Sequence, residues 1–361
     1  MDSMRWYERQ LRVPGIDWTF MKKLSSMCVE ATGGDVEELT ADLLIRTGVH
    51  RLSKQSRTVF MHSMIDSNPF LEITDEPDIL ITKSTREGNA RVFVEDGSIR
   101  LVIPHDAIVD DAPVMAALVL KAIRTEKEQE ADLDTTRLIE SSFPFNSNSR
   151  IMVIGAGGLG CPALTSIVSA FSGNIAIVDH NTVSVTNLHR QTLYRTGDIG
   201  KKKADVAKER LKESYPDARI ESFARPFKED LIDAFSPDIV LFAVDSMATR
   251  REINSICLDR GLSFVDTSVN DFHGYGLAHV AGTACYECIV DESAMHSETK
   301  KGILALTSFY GGLLMARLTS VLLNREALVR NRVFAFNLDD FSFDDFEVTR
   351  YKNCKACGRL Q

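Results

Sequence analysis

The stretch Ile151-Met-Val-Ile-Gly-Ala-Gly-Gly-Leu-Gly160 decides how this chain folds. Four apolar residues read as a buried strand, glycines follow at G-x-G-x-x-G spacing, and a helical run begins at Cys161. A turn this sharp lets backbone N–H groups approach a phosphate, with the positive end of the helix dipole aimed at it. Asp179 closes a second apolar strand, Asn174-Ile-Ala-Ile-Val-Asp179, about twenty residues on, where a ribose hydroxyl is usually held. Taken alone, the pattern says nucleotide, and an NAD-dependent oxidoreductase would satisfy it.

Working outward, residues 136–361 read as one alternating unit. A helix is expected over 202–214, strands near 218–223 and over Asp238-Ile-Val-Leu-Phe-Ala-Val244, a helix over 248–261 and a strand at Ser263-Phe-Val265. The alternation predicts an α/β fold: a Rossmann-like, mostly parallel sheet with helices on both faces. Ligands then bind at the carboxyl ends of the strands, where Gly155, Asp179 and Asp245 fall. The apolar run Ile303 to Leu323 carries Arg317 and Gly311-Gly312 and reads as a buried helix rather than a membrane span.

Residues 1–135 form a smaller α+β N-terminal region. It holds a strand near 26–31, a helix near 36–47, a hairpin around Asp96-Gly97 and a helix near 111–124. The charged, then Ser/Asn-rich residues 125–148 read as the boundary. Met27-Cys-Val-Glu-Ala-Thr-Gly-Gly34 followed by a helical run echoes strand, glycine turn and helix, with the fingerprint eroded. Asp35-Val-Glu-Glu38 puts negative charge where a phosphate would sit, so this copy should not bind ATP.

The chain has 361 residues and a net charge of −9, which argues against nucleic acid as a partner. No basic-plus-apolar signal segment opens it, so a cytoplasmic enzyme with no membrane partner is expected. Of seven cysteines, Cys285-Tyr-Glu-Cys288 and Cys354-Lys-Ala-Cys357 make two C-x-x-C pairs. In a reducing compartment such knuckles point to a structural Cys₄ Zn²⁺ site, a redox dithiol being the alternative. Cys28, Cys161 and Cys257 lie in apolar contexts and read as inert core residues.

Behind Asp179 come Thr186-Asn-Leu-His-Arg-Gln191, Gly200-Lys-Lys-Lys203 and Val244-Asp-Ser246. Each piece is weak alone; their order behind the glycine turn, with two cysteine pairs after them, is specific. Over about 145–361 the chain resembles the ThiF/MoeB/HesA family, relatives of the ubiquitin-activating enzymes. The resemblance rests on Gly155, Gly157, Gly158 and Gly160, on Asp179, on Asn187, Arg190 and Gln191, on Lys203 and Asp245, and on both cysteine pairs. It implies that Asp179, with Asn181 beside it, binds ribose, that Asn187, Gln191, Arg190 and Lys203 hold phosphates of ATP, and that Asp245 holds Mg²⁺. Tyr7-Glu-Arg-Gln-Leu-Arg-Val-Pro-Gly-Ile-Asp17 is similar to the segment that opens these proteins. In the family the arginine matching Arg9 crosses a pseudo-twofold interface to the partner's ATP, which implies a homodimer or a fused pseudo-dimer.

The chemistry such residues suit is carboxylate activation: an acid attacks the α-phosphorus of ATP, pyrophosphate leaves, and an acyl-adenylate forms. An ionised carboxylate needs no general base at neutral pH, so the site needs cations and alignment rather than a catalytic histidine. His180 and His189 therefore read as incidental. Two features depart from the family pattern. Asp179-His180-Asn181 has an amide where a second acid is usual, and Ile289 to Asn353 contains no cysteine, which excludes an enzyme thioester at the usual place. The resemblance thus implies an ATP-dependent adenylyltransferase acting on a ribosomally made precursor peptide. It would be similar to the microcin C7 and pantocin enzymes of peptide-antibiotic biosynthesis. In those enzymes the N-terminal domain clamps the leader peptide, so residues 1–135 are expected to be a degenerate half-repeat, a peptide-binding domain, or both. The alternative partner is a small ubiquitin-like sulfur-carrier protein. An NAD-dependent oxidoreductase and a dead scaffold are further classes.

Overall fold

The computed structural model describes residues 7–32, 34–56, 64, 66, 68–86, 89–95, 98–104, 106–133, 149–290 and 302–358. The fingerprint strand forms as read: β8 (Arg150–Ile154) enters α4 (Gly160–Ala170), and β9 (Asn174–Val178) lies parallel beside β8. Ile151 to Ile154 and Ile175 to Val178 are all buried, as continuous apolar runs must be when helices cover both faces. The chain continues through α5 (Lys203–Ser214), β10 (Arg219–Phe223), α6 (Asp230–Phe235), β11 (Ile239–Phe242) and α7 (Met247–Asp259). Ser246 caps α7 by accepting from the Thr249 amide at 3.3 Å. Strands β12 (Ser263–Asn270), β13 (His273–His279), β14 (Arg332–Asn337) and β15 (Ser342–Glu347) complete the sheet. Its order is β10-β9-β8-β11-β12-β13-β14-β15, parallel as far as β12 and antiparallel beyond. Strand β12 outruns the expected Ser263–Val265 because its antiparallel partner β13 pairs with it as far as Asn270.

The N-terminal residues build a second sheet, from β1 (Cys28–Thr32), β2 (Arg51–Ser53), β3 (Glu72–Thr74), β4 (Ile79–Lys83), β5 (Ala90–Glu95), β6 (Ser98–Ile103) and β7 (Gln129–Ala131). Its helices are α1 (Trp18–Ser26), capped by the Asp17 carboxylate on the Phe20 amide, α2 (Asp35–Thr47) and α3 (Ala112–Thr125). The order β3-β2-β1-β4-β6-β5-β7 repeats the plan of the larger sheet. In each, the first strand is central and feeds a helix, the next two pair outward on one side, and the fourth pairs on the other. β5 and β6 pair antiparallel up to Glu95 and Ser98, while the Asp96-Gly97 turn lies outside the described residues.

One expectation about the chain path is corrected. Residues 125–148 do not begin as linker, because Gln129–Ala131 return to pair with β5. Glu130 there accepts from Asn89 at 2.6 Å and from Arg91 at 3.2 Å, so the charge faces outward while Ala131 is buried. Residues 134–148 lie outside the described residues.

The long helix α9 (Ala305–Arg325), preceded by the short α8 (Tyr286–Ile289), packs against α2, α3 and α4 and covers β12 and β13. Among the described residues it heads the one helical stretch long and apolar enough to cross a membrane, and 94% of that window is buried inside the protein. One apolar cluster therefore runs through both sheets, with Leu44 and Leu118 in the same core as Leu164 and Met315. A second cluster surrounds the C-x-x-C cysteines.

Candidate active site at the carboxyl edge of the larger sheet

The glycine turn fits as tightly as its spacing implied. Gly155 has φ +103°, and a Cβ there would lie 2.5 Å from the Ala243 carbonyl oxygen on the next strand; at Gly160 it would lie 2.1 Å from the Gly155 carbonyl oxygen. These two let the strand and helix α4 close on each other, whereas Gly157 has only Gln191 Nε2 nearby, at 3.8 Å. The turn is pinned from β9: Asp179 Oδ2 accepts from the Ala156 amide at 2.9 Å, and Oδ1 accepts from the Asn181 amide at 2.8 Å. Tyr194, fully buried, donates its hydroxyl to the Ala156 carbonyl at 2.7 Å and to that of Lys203 at 3.3 Å. The lysine helix is thereby tied to the phosphate turn. Tyr194 escaped sequence reading because a lone tyrosine in a polar stretch carries no pattern.

The polar segment 181–200 is ordered by its own side chains. Asn187 Oδ1 accepts from the Ser184 amide at 3.1 Å, and the Asn187 carbonyl accepts from the amides of Arg190 and Gln191. This turn sets Arg190 over Gly158, whose Cβ would stand 3.4 Å from the arginine Cδ. Nη1 of Arg190 donates to the Thr186 carbonyl at 2.9 Å and to His189 Nε2 at 2.6 Å. Burial, then repulsion from Arg9, holds the Arg190 guanidinium down at about 10, with Asp245 pulling the other way. Arg9 is lowered by burial and is likewise opposed by Asp245. Two guanidiniums thus crowd one exposed carboxylate beside a turn built for phosphate. Such a place gains free energy when an anion enters.

Asp245 is held from behind. Buried Arg250, one turn into α7, hydrogen-bonds the Asp266 carboxylate, and its Nη2 donates to the carbonyls of Val244 at 2.6 Å and Thr267 at 2.8 Å. Arg9 arrives on the N-terminal segment, whose Arg9 carbonyl accepts from the Ile303 amide at 3.1 Å. The structure therefore brings Gly155, Gly157, Gly158, Gly160, Asp179, Asn187, Arg190, Gln191, Lys203, Asp245 and Arg9 to one edge of the sheet. Asn181 is exposed at its rim. His180 contributes only its carbonyl, to Lys202 Nζ at 3.0 Å. His189 is wholly buried, with its Nε2 against Arg190 Nη1.

The four cysteines of the two pairs form a separate centre, their Sγ atoms all within 4.8 Å of one another. Sγ separations of 3.9, 3.7 and 3.5 Å are those of a tetrahedron with Zn–S bonds of about 2.3 Å, far longer than a disulfide. The Tyr351 amide and Asn254 Nδ2 point at Cys288 and Cys285 sulfurs, as donors to metal-bound thiolates do. The donor set fits Zn²⁺. Asn254 lies on α7, the helix that starts beside Asp245, so the centre braces the far part of that helix. Cys28, Cys161 and Cys257 are buried with thiols pushed up by desolvation, the first two to about 11.

Fold and site together define a nucleotide-binding α/β enzyme with a four-cysteine cluster suited to a metal ion. Residues 146–357 match the ThiF family, and the chain belongs to it, a family of ATP-dependent adenylating enzymes. A sulfur carrier protein adenylyltransferase of Thermus thermophilus is 31% identical over 221 residues, covering 58% of this chain and 82% of that protein. A SAMP-activating enzyme E1 of Haloferax volcanii is 27% identical over 218 residues, covering 58% and 81%. The chain spans about half, 49%, of the Drosophila virilis adenylyltransferase and sulfurtransferase MOCS3, at 29% identity and 58% of its own length. Among solved structures, E. coli MccB with ATP superimposes with a TM-score of 0.53 at 21% identity, covering 59% of this chain and 67% of that one.

Proposed function

We propose that this chain activates the carboxylate of a polypeptide substrate with ATP, forming an acyl-adenylate and releasing pyrophosphate, without an enzyme thioester. The observation that carries the reading is the close-packed Gly155–Gly160 turn with buried Arg190 fixed against Gly158, and with Arg9 and Asp245 acting electrostatically on that guanidinium. The turn and Asp179 receive the nucleotide, while Asn187, Gln191, Arg190 and Lys203 hold its phosphates. The exposed Asp245 would hold Mg²⁺, which neutralises phosphate charge when bound. Charge placed before the substrate arrives stabilises the pentavalent phosphorus without reorganisation.

Arg9 is supplied here by the same chain, and the N-terminal sheet repeats the strand plan of the larger one. We infer that residues 1–135 are a degenerate half-repeat standing where a second subunit would stand, so that one chain holds one complete site. Glu37 and Glu38, buried at the start of α2, occupy the position an anion would need in that half.

A ribosomally made precursor peptide is the favoured substrate. The added N-terminal half, outside the family match, and the absence of cysteine between Ile289 and Asn353 support it. The sulfur-carrier reading is supported by the names of the curated relatives. Exchange of radiolabelled pyrophosphate into ATP tests both. It should depend on a peptide or a carrier ending in a free carboxylate, and vanish in Arg190→Ala and Asp245→Ala. Binding of NADH with indifference to ATP would overturn the proposal.

A further inference from the structure

We propose that Arg46 and His189 are positioning residues for the phosphate-binding Arg190, through which the N-terminal half aims that side chain at the nucleotide. The inference rests on the adenylation reading above. It begins from a cation that no motif marks. Arg46, in the last turn of α2, is 3% exposed, and its Nε donates to Asp42 Oδ2 one turn back at 2.7 Å. Its Nη1 crosses to the larger half and donates to the Leu188 carbonyl at 2.6 Å. Buried Gln10, one residue beyond Arg9, donates to the Arg46 carbonyl at 2.9 Å. The Arg46 guanidinium therefore ties helix α2 to the loop bearing Asn187 and Arg190, while the Arg46 backbone carbonyl holds the Arg9 segment through Gln10. The planar fork of arginine suits this, since a lysine could not meet Asp42 and Leu188 in the same fixed geometry.

His189 carries the link to Arg190. The imidazole is wholly buried, and Arg190 Nη1 lies 2.6 Å from its Nε2. A guanidinium has only donors, so Nε2 must accept, and the ring must be neutral with its proton on Nδ1. Burial, reinforced by Arg190, Arg9 and Arg46, holds the ring well below the ordinary histidine range. With Nη1 spent on His189 and Thr186, the guanidinium plane is fixed on a side chain whose Cδ already packs at Gly158 of the glycine turn. Leu188 and His189 are adjacent, so a shift at Arg46 reaches His189 through a single peptide unit, and Arg190 through the imidazole.

The experiment compares the affinity of the full chain for MgATP with that for adenosine, by calorimetry and competition. Adenosine lacks phosphates and should not sense Arg190. His189→Phe fills the space without an acceptor and should weaken MgATP about tenfold, the loss expected for one charge-assisted contact, while adenosine is unchanged. His189→Gln, which can present an amide oxygen near Nε2, should recover affinity to within about threefold. Arg46→Met should resemble His189→Phe, and the double variant should be no weaker than either single one, since both act on the same guanidinium. Equal loss of ATP and adenosine, failure of the glutamine variant to recover, or multiplying losses in the double variant would overturn the proposal. Should the unaltered protein bind no MgATP, it is the adenylation reading that falls.

Discussion

Replacing Arg190 by methionine should leave the empty protein nearly as stable and the ATP-bound protein clearly less so. Its guanidinium sits at about 10 against an ordinary 12.5, with burial the leading cause and Arg9 next. At 1.36 kcal/mol for each tenfold in proton affinity, holding that charge in the empty site costs about 3 kcal/mol. Because the folded value lies below the unfolded one, the cost is fully present at pH 7. It is relieved only as pH rises through 10 towards 12.5. Methionine removes the charge but also the charge-assisted bonds to Thr186 and His189, worth about 1.5 kcal/mol each. The two nearly cancel, which leaves the empty variant within about 1 kcal/mol of the unaltered protein, or roughly 1–2 °C in melting temperature for a chain of this size. A saturating ligand at about a hundred times its Kd adds about 2.7 kcal/mol to the unaltered protein. The variant should forfeit most of that, so the two melting curves, nearly coincident without MgATP, separate when it is added. Scanning calorimetry with and without MgATP decides it. An empty variant that melts lower, yet gains as much from ATP, would refute the claim that this arginine awaits an anion.

Four further outcomes follow from the same geometry. Mixing Arg9→Ala with Asp245→Ala chains should restore no pyrophosphate exchange, because each site draws both residues from one chain; recovery on mixing would mean that Arg9 acts across a dimer. Gly160→Ala should destabilise by several kcal/mol and abolish ATP binding, its Cβ being 2.1 Å from the Gly155 carbonyl oxygen, whereas Gly197→Ala, with nothing within 4 Å, should unfold as the unaltered protein does. Cys354→Ser should lower the zinc content found by elemental analysis and the melting temperature together, without touching the residues that meet ATP. Since His189 is lowered far below 6.5, and His50 and His279 are lowered too, stability should fall as pH drops below 6.5, and less steeply in His189→Phe.

Local chemistry was legible in the residues themselves. The G-x-G-G-x-G turn, the acidic end of β9, the Asn187–Gln191 box and the two C-x-x-C pairs each depend on near neighbours. Glycine at a forced φ, alternating apolar strands and paired thiols leave marks that spacing alone can carry. The order of elements in the larger half could be read for the same reason. Contacts that no motif marks could not. That the N-terminal strands repeat the plan of the larger sheet is a matter of pairing partners far apart in sequence, and short strands such as Arg51–Ser53 carry too little pattern to place. Arg46, Tyr194 and Arg250 acquire their meaning from partners 142, 38 and 16 residues away. Histidine 189 passed as incidental because a single polar residue in a loop looks the same whether solvent or three guanidiniums surround it. Folding alone decides which, by burying the ring where its neutral form must accept a hydrogen bond. The sequence by itself thus determined the nucleotide turn and the metal knuckles. Only the tertiary structure decided which distant side chains stand behind them, since desolvation and charge crowding exist only once the chain has closed on itself.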